Sequence, residues 1–226
     1  MRNLILGVVA AGAIVATTPA LAAVQLQFQS NASWENSTCT TGCLDLTGNI
    51  YRIGNQPGSF NDSFLSTVDF NSGLFMTDAL GVRLGEISWL NNATADTDDS
   101  FNLTYRLGIN FSIPNLPTDT TDFVLSIQQP TNPPGDIVGQ LNVALPNIGP
   151  FNLGAATMSN VRWVLVNAGA GSTFNAATGT WFNPEGNTAT LRLVADFTEV
   201  PEPASMALLG AGLLGLGLLR RRARRG

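Results

Sequence analysis

Thr188-Ala189-Thr190-Leu191-Arg192-Leu193-Val194-Ala195-Asp196-Phe197-Thr198 decides the fold. On an extended chain Leu191, Leu193, Ala195 and Phe197 share one face, and Thr190, Arg192, Val194 and Asp196 share the other. That period of two predicts a strand with one packed face and one mostly wet face. The same alternation recurs upstream in residues 24–29, 49–53, 64–70, 82–90, 101–113, 123–129, 137–145 and 161–167, separated by Gly, Pro, Asn and Asp. Pro114, Pro117, Pro130, Pro133 and Pro134 cannot donate to a strand ladder, so they mark loops or strand ends. No long amphipathic helix and no fixed-period repeat interrupts residues 23–200. The expectation is an all-β body, a two-sheet sandwich of jelly-roll type with about nine strands.

Composition narrows the chemistry. Charged residues make up 12% of the 226 residues, half the usual share, and apolar residues 44%, which suits a buried core rather than disorder. The chain has no His and no Lys. That removes the Ser-His-Asp and Cys-His arrangements, His-ligated metals, Schiff bases and Ser-Lys dyads, and leaves paired carboxylates as the main surviving catalytic scheme. The formal charge of −5 is unevenly spread. Residues 23–200 hold five arginines against fifteen acids, a net charge of −10, which repels nucleic acid.

The remaining basic residues sit at the two ends. Arg2 precedes an apolar run from Leu4 to Ala16, broken by Thr17-Thr18-Pro19 ahead of Ala20-Leu21-Ala22. A positive start, an apolar centre and an A-x-A site predict a signal peptide over residues 1–22, cut after Ala22 and read by the secretion machinery. At the other end Pro201-Glu202-Pro203 leads into uncharged residues 204–219 and then into Arg220, Arg221, Arg222, Arg224 and Arg225. Sixteen residues make roughly 24 Å of helix, short for a hydrocarbon core of about 30 Å unless the arginines snorkel. The expectation is one short transmembrane helix at 204–219, with residues 220–226 cytoplasmic and the body outside.

This tail closely resembles the PEP-CTERM sorting signal: a Pro-Glu-Pro motif, here Pro201, Glu202 and Pro203, then a short transmembrane helix and an Arg-rich end. The resemblance covers about the last 25 residues. It implies a membrane-embedded exosortase, a transpeptidase of bacteria that make exopolysaccharide, as the partner that recognises and removes the tail. More loosely, the body resembles the choice-of-anchor K domain found on PEP-CTERM proteins. That likeness rests on Ser30-Asn31-Ala32-Ser33-Trp34, on Leu84-Gly85-Glu86-Ile87-Ser88-Trp89-Leu90-Asn91-Asn92, and on residues 101–113. Trp89 stands where that family usually has His or Tyr, and the resemblance carries over no catalytic residue.

Few other residues point to chemistry. Cys39 and Cys43, the only cysteines, read as one disulfide closing a small loop, since two thiolates with no His cannot complete a tetrahedral metal site. Asp96, Asp98 and Asp99 cluster before a strand; they read as a solvated turn, with Ca2+ as the alternative ligand. Glu35, Glu86 and Glu185 are the glutamates available to a glycoside-hydrolase pair, which needs two carboxyls about 5 to 9.5 Å apart. Among the four tryptophans, Trp163 reads as core, whereas Trp181, in a Gly-rich segment beside Asn183-Pro184, is the one expected to be exposed and able to stack on a sugar.

The sequence therefore divides into a signal peptide at 1–22, an exported β-sandwich at 23–199 and a sorting tail at 200–226. It predicts a non-catalytic protein, without a required cofactor, that passes transiently through the inner membrane to the cell surface or the exopolysaccharide and biofilm matrix. The alternatives are a carbohydrate-binding module acting through exposed aromatics and a carboxylate hydrolase.

Overall fold

Alternating inward and outward side chains build two antiparallel sheets that face each other across one core. The structure, a computed structural model, describes residues 24–39, 44–47, 49–53, 63–92, 101–113, 121–129, 140–154, 156–200 and 210–214. In chain order the strands are β1 (Gln25–Cys39), β2 (Leu44–Thr47), β3 (Ile50–Ile53), β4 (Ser63–Thr67), β5 (Phe70–Asn71), β6 (Phe75–Met76), β7 (Val82–Asn91) and β8 (Phe101–Ile113). They continue with β9 (Thr121–Gln129), β10 (Gln140–Val143), β11 (Phe151–Asn152), β12 (Ala156–Asn167), β13 (Thr173–Asn175), β14 (Thr180–Phe182) and β15 (Asn187–Glu199). One sheet runs β13-β14-β10-β9-β8-β1-β5, with β6 also on β1; the other runs β11-β12-β15-β7-β4-β3-β2.

The chain separates into two units, Ala23–Pro201 and the combined termini Met1–Ala22 with Glu202–Gly226. In the second unit the described residues 210–214 form an exposed helical turn. Among the described residues no helix is long and apolar enough to cross a membrane.

The strand that decided the reading lies in the middle of its sheet. β15 pairs with β12 on one side, from Ala156↔Glu199 to Asn167↔Thr190, and with β7 on the other, from Asn187↔Asn91 to Ala195↔Val82. Leu191, Leu193, Ala195 and Phe197 are fully buried, as the alternation requires. The outer face corrects the expectation of a mostly wet surface, because Thr190 and Val194 are also buried. Thr190 is hydrogen-bonded to the Ser88 hydroxyl at 3.0 Å, and long neighbours account for Val194, which sits between Arg83 and Arg162 across the strands, while the Arg192 guanidinium lies on Glu86 at 2.9 and 3.0 Å. Arginine stems cover apolar surface while their heads stay wet.

Aromatic side chains fill the core in three groups along its length. At one end Phe28 meets Phe70, Phe75, Phe111 and Phe197 with centroids 5.4 to 6.2 Å apart. In the middle Tyr105 lies between Trp34 and Trp163, and at the other end Trp89 meets Trp181 edge-on at 5.2 Å. Burial pushes the Tyr105 phenol up to about 12. Gly85 is explained by this layer: a Cβ there would run into the Tyr105 hydroxyl from the facing sheet and lie 3.1 Å from the Leu107 methyls. A bulge in the β7–β15 ladder falls at the same place, where Leu193 faces Gly85 but Val194 faces Arg83.

Several strands differ from the sequence reading. The stretch 64–70 is two strands in different sheets, because the chain crosses between them at Val68–Asp69, where the Asp69 carboxylate accepts from the Ala32 amide at 3.0 Å. β1 continues to Cys39, since Ser30, Ala32 and Trp34 keep the inward alternation with small or polar residues. The short strands β2, β6, β11, β13 and β14 were not anticipated.

Candidate functional site

Strand polarity gives the body two distinct ends. β1 and β12 start, and β8 and β15 finish, at one of them, so Val24 and Glu199 emerge together. The segment Thr77–Ala79 bridges the two. Thr77 exchanges bonds with Val24, its amide donating to the Val24 carbonyl at 2.9 Å and its Oγ1 accepting from the Val24 amide at 3.0 Å. One residue on, the Asp78 carboxylate accepts from the Glu199 amide at 3.4 Å, and the Ala79 carbonyl from the Phe197 amide at 2.9 Å. We call this the proximal end. β7 finishes and β8 starts at the opposite, distal end, where residues 183–186 join β14 to β15.

A braced carboxylate holds the last turn of the proximal end. Asp196 accepts from the Gly81 amide at 2.8 Å, from Asn160 Nδ2 at 2.6 Å and from Arg162 NH1 at 3.0 Å. A β12 bulge between Ser159 and Arg162, with Asn160 at φ +52°, aims both partners at the carboxylate. Burial works to raise the Asp196 pKa, but the bonds from Asn160, Gly81 and Arg162, with the Arg162 charge, outweigh it and hold the carboxyl below its ordinary 3.8.

A depressed folded pKa means the stabilisation is present above the unfolded value and is lost as pH falls through the folded one. Urea midpoints of the body should therefore fall as pH drops from neutral to about pH 3. Asp196→Asn should make that fall shallower; an unchanged slope would show that Asp196 does not carry it.

The carboxylates considered for hydrolysis do not converge. Glu35, on β1 beside the inward Trp34, pairs with Arg106 at 2.5 Å on the outer face of its sheet. Glu86, on β7, pairs with Arg192 and lies 3.6 Å from Arg83 on the outer face of the other sheet. Two sheets and a core about 10 Å thick separate them. Glu185 sits in the β14–β15 turn, where its carbonyl accepts from Asn187 Nδ2 at 3.1 Å. Among the described residues no group of three acids or cysteines could hold a metal ion.

Trp181 is the clearest correction. Expected to be exposed, it is fully buried, as is Trp89, while Trp34 and Trp163 show only 4% and 3% of their surface. Its strand β14 is three residues long but is paired on both sides, with β10 and β13, and its ring packs on Trp89 from the facing sheet. The core position expected for Trp163 is observed. Cys43 and the Cys39 side chain, together with Asp96, Asp98 and Asp99, lie outside the described residues, as do Pro201, Glu202, Pro203, Arg220, Arg221, Arg222, Arg224 and Arg225.

Sequence reasoning missed the proximal junction. Its signal was present in Asp78, in the turn after β6, and Asp196, on the outer face of β15, but their partners lie far away in sequence.

Residues 199–223 match the family model of the PEP-CTERM protein-sorting motif. That motif marks a protein sorted by an exosortase to the cell surface and implies a transmembrane segment at the C-terminal end. The match begins at Glu199, the last residue of β15, so the sorting signal follows the central strand without a linker. No curated protein matches the chain.

Proposed function

We propose that the chain is a non-catalytic surface or extracellular-matrix protein, whose β-sandwich is exported by a cleaved signal peptide at 1–22. A helix at 204–219 holds it transiently in the inner membrane. The exosortase then cuts near Pro201–Glu202–Pro203 and passes the body to the cell surface or the exopolysaccharide matrix.

One observation carries the reading: both chain ends leave the body at the proximal end, beside Thr77–Ala79. The rest of the surface fits a display module better than a catalyst, since Glu35, Glu86 and Asp196 are committed to arginines. A carbohydrate platform needs exposed rings, and the four tryptophans belong to the core. A Cys39–Cys43 disulfide and the absence of a required cofactor belong to the same proposal.

Replacing Pro201, Glu202 and Pro203 together by Ala tests it in the native host. The expected outcome is that most of the chain stays uncleaved in the inner membrane and the surface form is lost. Normal processing of the triple variant would refute the proposed role of the tail.

A further inference from the structure

The segment between β5 and β7 holds three of the four most exposed large apolar side chains among the described residues of the body. Along residues 74–77 the chain alternates, with Phe75 packed against the core and Thr77 buried, so Leu74 and Met76 point outward, where polar residues belong on a half-wet strand. Leu74 is 60% exposed, Met76 47%, and Leu80, three residues past Thr77, 74%.

This is not a loose loop. Ser72 Oγ accepts from the Phe28 amide at 2.9 Å, the Thr77 amide bonds Val24, the Ala79 carbonyl bonds Phe197, and the Gly81 amide donates to Asp196. Gly73, Asp78 and Gly81 take the left-handed conformations that its turns require. A frame fixed at so many points presents three large apolar side chains to the outside at the proximal end.

We propose that Leu74, Met76 and Leu80 form a rim that rests in the interface of the lipid bilayer while the sorting tail is inserted. The inference rests on the anchoring reading above, and the length of the connection makes it specific to lipid. Glu199 is bonded to Asp78, which lies between Met76 and Leu80 in the chain. From Val200 to Ala204, where the apolar stretch begins, four peptide steps reach at most roughly 14 Å. A body tied so closely cannot keep this end away from the headgroups. Apolar side chains gain by entering the boundary between headgroups and acyl chains. Of the neighbouring charges Asp78 and Glu199 are acidic, and Arg162, beside Gly81, is paired with Asp196, so contact relies on burial of these side chains rather than on attraction to anionic lipid.

The test uses the full chain, reconstituted through its tail into zwitterionic phosphatidylcholine vesicles with or without bromine on the acyl chains. Leu80→Trp adds an indole at the rim, and Val166→Trp adds one at an exposed position on β12 near the distal end; the four native tryptophans, all buried, form a common background. The Leu80→Trp indole should lose roughly half its emission in brominated lipid, the depth expected of an interfacial side chain, while Val166→Trp is unaffected. Equal emission from Leu80→Trp in both lipids overturns the rim and assigns it to a protein partner, such as the exosortase or a second copy. Protease added outside the same vesicles reads the anchoring separately. A protected tail fragment with no quenching removes the rim alone, and a digested tail removes the anchoring reading and the rim with it.

Discussion

Trp181→Ala is expected to destabilise the exported body by about 3–5 kcal/mol, the range for truncating a fully buried indole in a packed core. For a domain of this size that lowers Tm by about 2–4 °C per kcal/mol, so a drop of roughly 10 °C is the predicted reading. Trp181 closes the distal third of the core, where its ring meets Trp89 edge-on at 5.2 Å. Among the described residues neither indole N–H has a hydrogen-bond partner. Trp181→Phe keeps most of the ring and deletes an unpartnered donor, and should cost well under half as much as the alanine. If Trp181 acted instead as an exposed sugar platform, both substitutions would leave Tm unchanged. Denaturation of residues 23–200 followed by near-UV circular dichroism separates the two outcomes.

The error over Trp181 shows which features local sequence could carry. Strands long enough to show several alternations were legible: β8 was read to its ends at Phe101 and Ile113, and the core face of β15 residue by residue. The two-sheet architecture follows from such strands, because each has one face to bury. β14 offers only Thr180, Trp181 and Phe182 between Gly179 and Asn183, which locally resembles a loop. Its burial comes from β10 and from Trp89, about 40 and 90 residues away in sequence. Gly179, in the Gly-rich segment before Trp181, was itself the clue. It adopts φ +73°, and a Cβ there would collide with the Val143 carbonyl, so the glycine marks a close backbone approach.

The split of residues 64–70 was hidden for a related reason. Val68 and Asp69 continue a plausible alternation, and only the partner strands show that the chain changes sheets there. The sorting tail was legible in full as a pattern because it is contiguous and its meaning does not depend on folding. The proximal junction was not, since Asp78 and Glu199 are 121 residues apart.

Asn183→Ala should produce the second large effect, about 3–5 kcal/mol, through polar rather than apolar loss. Asn183 is fully buried at the distal end, and every atom of its amide is engaged. Nδ2 donates to the Trp89 carbonyl at 2.9 Å and to the Asn187 carbonyl at 3.0 Å, and Oδ1 accepts from the Ser172 hydroxyl at 2.7 Å. Its own carbonyl accepts from Asn91 Nδ2 at 2.6 Å, and Asn91 Oδ1 in turn accepts from Ser63 at 3.2 Å. One side chain thus ties the β14–β15 turn to β7 and to the residue ahead of β13, and the chain of bonds reaches β4. Truncation leaves the buried Ser172 hydroxyl without its acceptor and takes a second donor from two carbonyls of the β7–β15 ladder, at about 1–3 kcal/mol for each group that water cannot reach.

Ser172→Ala alone should cost less, and the double variant should fall short of the sum by about 1 kcal/mol, because the shared bond is lost only once. Asn183→Asp is the sharper probe. The substitution replaces a donor facing two carbonyls with an oxygen, so the ionised form is disfavoured and the carboxyl pKa must rise on folding. A raised carboxyl pKa costs stability as pH climbs through the acid range, so the deficit of this variant relative to the parent should be larger at neutral pH than at about pH 4. Equal losses at the two pH values would mean that water reaches position 183 and that the distal end is not sealed.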